Sequence, residues 1–135
     1  QVGIRDVAEM EVNQVNDSNG RITTFYDWEL KESEFQGETW QQTVSRIIKA
    51  LPEHVYISFD IDGLEPGLCP NTGTPVPGGF TLAQTSYLIH ALISAGKKII
   101  GFDLCEVAPG EDGNEWDANV GARTLWELIV ACSNH

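Results

Sequence analysis

The residues best suited to chemistry lie in the stretch SFDIDGLEPGLCPNTGTPVPGG, positions 58–79. At its head are two carboxylates one residue apart, Asp60 and Asp62, at the end of an apolar run. In an extended strand, residues two apart point to the same side. The pair is therefore expected side by side at the strand's carboxyl end, where open α/β sheets bind their ligands. Two like charges so close repel, and near a low-dielectric core each carboxyl would have a raised pKa. A bound cation removes that penalty, and hard oxygen donors suit Mg²⁺, Mn²⁺ or Ca²⁺ better than thiophilic metals. The plainer alternative is a pair of turn or cap residues closing a strand. The loop that follows holds four of the six prolines, Pro66, Pro70, Pro75 and Pro77, and is expected to be stiff.

The elements that must hold this pair alternate between strand and helix. Residues 2–6 read as a short strand, 16–20 (NDSNG) as a turn, and 22–28 as an extended segment. From Thr39, the residues Val44, Ile47, Ile48 and Leu51 recur at helical spacing. Thr39 with Gln42 forms a capping box at the start of that helix, and Pro52 stands at its end. Residues 55–61 have the composition of a strand covered on both faces. Thr81 with Gln84 opens a second helix through Leu88, Leu92 and Ala95, stopping at Gly96. Residues 99–107 form another buried strand, and a last helix after Asp117 is expected to bury Gly121, Leu125, Leu128, Ile129 and Cys132. Strands alternating with helices of this length imply right-handed crossovers and a parallel sheet, an α/β fold in one domain over residues 1–135.

The chain has 135 residues, with 41% hydrophobic and 21% charged residues, the balance of an ordinary globular protein. A formal net charge of −12 argues against nucleic acid and against anionic membrane as partners, since both need basic patches. Three cysteines, Cys69, Cys105 and Cys132, without CxxC spacing, suggest reduced thiols rather than a disulfide scaffold. With no run of transmembrane length and no signal peptide at the start, the cytoplasm is the expected compartment. The opening QVGIRDV has no initiator Met and begins in strand-like residues, as if cut from something longer.

Three families with metal or phosphate chemistry end a strand in such a motif. An EF-hand loop counted from Asp60 fails, because its fifth and sixth positions are Leu64 and Glu65, where an oxygen ligand and Gly are needed. The segment FDIDG resembles the DxDG of haloacid-dehalogenase phosphatases, but it continues Leu64-Glu65-Pro66, and no later acidic pair with a preceding Lys follows. The much longer match is to the ureohydrolase signature of arginases, agmatinases and formimidoylglutamases, S-x-D-x-D-x-x-[DE]-P-x-x-x-P-x-x-G-T-P-x-x-G-G. The stretch 58–79 resembles it in order, spacing and residue type, and GIRD (3–6) and GFDLCEVAPG (101–110) are further family-like segments.

That resemblance implies a three-layer α/β/α domain with a parallel sheet, of which this chain would be the carboxyl-terminal portion. It implies hydrolysis of a guanidino or formimino C–N bond at two Mn²⁺ ions, which activate water by lowering its pKa. Asp60 and Asp62 would be two of the metal ligands, and Glu106 would receive the substrate guanidinium through a charge-assisted contact. Thr74, in GTP, would line the substrate pocket. Asp103, on the same strand as Glu106, is left between a supporting acceptor and a core carboxylate. The family's remaining ligands come from a GGDH-like histidine and a DAHxD cluster, and neither motif occurs here. His54 lies about 20 Å from Asp60 at the far end of its strand, His90 is within a helix, and His135 is the last residue. On this reading the chain by itself is inactive. Ala8 in RDVA stands where arginases carry an aspartate that contacts the amino-acid head of arginine, which tilts the expectation toward agmatine. A trimer or hexamer is the implied assembly. The competing readings are the phosphatase, with Asp60 as a nucleophile, and a non-catalytic assembly module.

Overall fold

The computed structural model describes residues 1–133. The chain divides into two compact units, Gln1–Ala50 and Leu51–His135.

In the first unit, strands β1 (Val2–Ile4) and β2 (Phe25–Tyr26) pair in parallel, joined through helix α1 (Glu9–Asp17). Helices α2 (Asp27–Phe35) and α3 (Trp40–Ala50) follow. Two of these helices escape a reading by hydrophobic period. Helix α1 buries no residue, and α2 buries only Asp27 and Leu30, so neither carries an apolar stripe. They form on local grounds instead. The Glu11 carboxylate accepts the Ala8 N–H at 2.7 Å, closing the first turn of α1. The expected extended segment at 22–28 shrinks to two residues because Asp27 and Trp28 already belong to α2, and the expected strand at 2–6 ends at Ile4. Helix α3 forms where periodicity places it, burying Thr43, Val44 and Ile47. Its capping box closes with the Thr39 N–H donating to Gln42 Oε1 at 2.8 Å and the Gln42 N–H to Thr39 Oγ1 at 3.3 Å.

In the second unit, β3 (His54–Asp60) and β4 (Lys98–Cys105) pair in parallel, connected through helix α4 (Leu82–Ser94). The Thr81–Gln84 box starts α4, with N–H to side-chain oxygen distances of 2.9 and 3.2 Å. Helix α5 (Trp116–Ser133) packs against both β4 and α4. Ile61, Leu64, Ile99 and Leu128 are fully enclosed and form the centre of this unit's core.

Three expectations about this unit need correction. Strand β4, expected buried, encloses only Ile99 and leaves Ile100 63% exposed. Strand β3 is not covered on both faces, since Val55 is buried while Tyr56, Ser58 and Asp60 are exposed. The alternation of apolar Val55, Ile57 and Phe59 with these three is the period-2 pattern of a one-sided strand. The inward stripe of α5 is Asp117, Val120, Gly121, Thr124, Leu128 and Ala131. Leu125 and Ile129, expected inside, are 39% and 45% exposed. The stripe runs at i, i+3, i+4, i+7 from Asp117, and its polar members conceal it from a reading of apolar residues alone.

Candidate active site at the carboxyl end of the β3–β4 sheet

Strand β3 ends at Asp60, and the chain turns at once into a 3-10 turn at Ile61–Gly63. Asp62 therefore lies beyond the strand, and the period-2 argument does not reach it. The turn brings the pair together instead. Asp60 Oδ1 accepts the Asp62 N–H at 3.1 Å, so one aspartate caps the turn that carries the other. Partial burial, opposed by that N–H, and then the charges of Asp62 and Glu106 hold the Asp60 carboxyl above its ordinary pKa. The cap reading and the ligand reading of Asp60 are thus compatible, because a carboxylate has lone pairs to spare after one hydrogen bond.

Glu106 comes to the same place from the neighbouring strand. Asp60 pairs with Cys105 in the ladder, and β4 stops there, so Glu106 lies just past the strand rather than inside it as expected. Its φ of +63° is left-handed, a conformation a non-glycine residue adopts at a cost. The loop after β3 supplies the remaining side chains. Thr74 Oγ1 donates to Asp62 Oδ2 at 3.3 Å, and Thr72 Oγ1 donates to the Glu106 carbonyl at 3.0 Å. Between them, a Cβ on Gly73 would stand 3.4 Å from Glu106 Oε2, so the loop backbone lies directly against that carboxylate. Asp60, Asp62, Thr74 and Glu106, separated by up to 46 positions, meet at one end of the sheet.

The loop is tied down along its length. Leu64 bridges to Phe80, with the Glu65 N–H donating to the Phe80 carbonyl at 2.9 Å and the Phe80 N–H to the Gly63 carbonyl at 3.0 Å. Gly79 has φ +89°, and a Cβ there would stand 2.7 Å from the Leu64 carbonyl oxygen, so only glycine closes this neck. Cys69, fully buried, donates its thiol to the Ile61 carbonyl at 3.3 Å. The Trp116 indole N–H donates to the Gly67 carbonyl at 2.9 Å. The buried Asp117 carboxylate accepts both the N–H and the side-chain amide of Asn71, at 3.0 and 2.8 Å. Asn71, Thr72 and Asp117 were not legible as site-building residues, for the first two fill unspecified positions of the signature, Asp117 lies outside it, and they meet only in the folded chain.

Asp103 lies one ladder step back from the site. It accepts hydrogen bonds from Ser58 Oγ at 2.8 Å and from the Cys105 thiol at 3.3 Å. The Ser58 hydroxyl chiefly, then the Cys105 thiol, hold its carboxyl below the ordinary value, and the same contact with Asp103 pushes the Cys105 thiol up. His54 is exposed at the opposite end of β3, and His90 faces Glu127 at 2.7 Å across α4 and α5, so neither approaches Asp60. His135 lies outside the described residues. A depression of about 420 Å³ between α4 and α5, lined by residues that include Arg123, Trp126 and Glu127, contains none of the four site residues.

Among the described residues, no group of three or more His, Cys, Asp or Glu is arranged to hold a metal ion. The donors that Asp60 and Asp62 offer are oxygens only, which fits a hard divalent cation as part of a larger ligand set.

A family model of the arginase family matches residues 1–131. The chain belongs to the arginase family. Relatives within it include an agmatinase of Chromobacterium violaceum, 40% identical over 93 residues, which cover 68% of this chain and 28% of that protein. The hepatic arginase of Aquarana catesbeiana is 33% identical over 92 residues, again 68% of this chain and 28% of the relative. Among solved structures, a hypothetical agmatinase from Burkholderia thailandensis superposes with a TM-score of 0.75 at 31% identity, covering 97% of this chain and 37% of that one. The chain thus spans well under half the length of the arginase-family proteins it matches. The ureohydrolase resemblance and the α/β fold stand, and nothing in these likenesses supports the phosphatase reading.

Proposed function

We propose that this arginase-family chain carries part of the active site of a manganese-dependent amidinohydrolase. Such an enzyme adds water across a guanidino C–N bond and releases urea and an amine. The observation that supports it best is the meeting of Asp60, Asp62, Thr74 and Glu106 at the carboxyl end of the β3–β4 sheet. Asp60 and Asp62 would hold Mn²⁺, which when bound lowers the pKa of coordinated water to near neutrality. Glu106, a carboxylate beside the loop backbone, would receive the guanidinium in a charge-assisted contact that orients it. Thr74, bonded to Asp62, forms the pocket wall and limits how far that carboxylate can swing. Ala8, in place of an acidic residue, favours agmatine over arginine, with guanidinobutyrate and formiminoglutamate as the nearest competitors.

Two carboxylates are too few to hold a dinuclear centre tightly, since affinity follows ligand number and preorganisation. The 135-residue chain incubated alone with Mn²⁺ is therefore expected to release no urea. The protein expressed from its complete gene is expected to hydrolyse agmatine faster than arginine, and to stop on chelation of Mn²⁺. Turnover by the isolated chain, or a clear preference for arginine in a substrate panel, would defeat the corresponding part of the reading.

A further inference from the structure

We propose that Asp117, Asn71 and Thr72 form a positioning relay that fixes the backbone, and so the carboxylate, of Glu106. The inference rests on the role given to Glu106 above.

The relay starts in the first turn of α5, where Asp117 is entirely enclosed. A buried carboxylate is tolerated only when its oxygens are satisfied, and Asn71 does this twice, through its backbone N–H to Oδ2 and its side-chain amide to Oδ1. A carboxylate in the first turn also lies at the end of the helix where negative charge is favoured. Asn71 is thereby held in both position and orientation, because two donors from one residue reach one planar acceptor. The next residue, Thr72, is 5% exposed, and its hydroxyl spends its single proton on the Glu106 carbonyl at 3.0 Å. Glu106 needs such a hold. The left-handed φ of +63° is one that a non-glycine residue leaves readily when nothing restrains it. Relaxing that torsion would swing the side chain away from Gly73, against which its Oε2 is seated. The same loop carries Thr74 to Asp62, so one anchor on α5 sets both halves of the site. None of the three residues touches the place where substrate would react, and they act through Glu106.

The test has two readings. In the isotope-labelled 135-residue chain, the Cα and Cβ shifts of Glu106 report its backbone conformation without any need for activity. Thr72→Val, which keeps the shape and removes the donor, and Asp117→Asn are expected to move those shifts out of the left-handed range, whereas Thr72→Ser keeps them. In the Mn²⁺-loaded protein from the complete gene, Thr72→Val is expected to raise KM for the guanidino substrate about tenfold, the worth of one lost hydrogen bond, with Mn²⁺ content unchanged and Thr72→Ser restoring KM. If Asp117→Asn does not fold, the Thr72 pair carries the test alone. Unchanged Glu106 shifts in folded Thr72→Val would overturn the relay. Wild-type KM and turnover in Glu106→Gln would instead overturn the role of Glu106, and with it the purpose of the relay.

Discussion

Glu106 shows how one residue can trade stability for position. A left-handed backbone costs a non-glycine residue about 1–2 kcal/mol, and here the chain accepts that at φ +63° one step past the end of β4. Replacement by valine, whose branched Cβ tolerates this torsion worst, is expected to lower the unfolding free energy by about 1–2 kcal/mol. Glycine, at ease there, should leave it within about 1 kcal/mol of wild type. Urea denaturation of the two variants distinguishes them, and equal losses would mean that the torsion is not the constraint. Asp60 and Asp62 were legible as candidates from residue type and spacing, and Glu106 only through the family resemblance. What the sequence misjudged was how they meet. Asp62 is delivered by a 3-10 turn capped by Asp60, and Glu106 by a torsion that no periodicity announces.

Among the elements, the helices most legible at their starts are those opened by a Thr–Gln pair and carrying an apolar stripe. Helices α3 and α4 start where Thr39 with Gln42 and Thr81 with Gln84 place them, because those boxes satisfy the first free N–H groups locally. Helices α1 and α2 have no such apolar signature and were missed. The entry to α3 also bears a pH-dependent contact. Arg46 donates to both Glu38 carboxylate oxygens, at 2.7 and 2.8 Å, while its guanidinium lies over the Phe25 ring at 5.9 Å. The hydrogen bonds from Arg46 chiefly hold the Glu38 carboxyl below its ordinary value of 4.5. A carboxyl depressed in the folded state adds stability above its unfolded pKa and loses it as pH falls through the folded one. In Arg46→Met the Glu38 titration followed by NMR should return to the ordinary range, and acid stability should then be independent of this pair. A Glu38 midpoint unmoved by the substitution would assign the depression to other neighbours.

At the scale of the whole molecule, one enclosed face of α5 serves both stability and the site, since Leu128 and Asp117 lie on the same stripe. Leu128 is fully enclosed in α5, and Leu128→Ala is expected to cost about 2–5 kcal/mol, whereas Trp126→Ala, at a side chain 67% exposed, should cost less than about 1 kcal/mol. Thermal unfolding of both reads out the contrast, and similar losses would place the core elsewhere. The amino-acid sequence by itself determined the α/β class, the two capped helices, the parallel strands and the motif that carries Asp60, Asp62 and Thr74. These rest on local chemistry and on short-range order, which a linear string preserves. The tertiary structure alone decided that the buried stripe of α5 begins with a carboxylate, and that Asp117 reaches Asn71 across 46 positions to steady the loop. The reason is physical. A hydrogen bond between distant residues depends on where two backbones are brought together, and no spacing along either one encodes it.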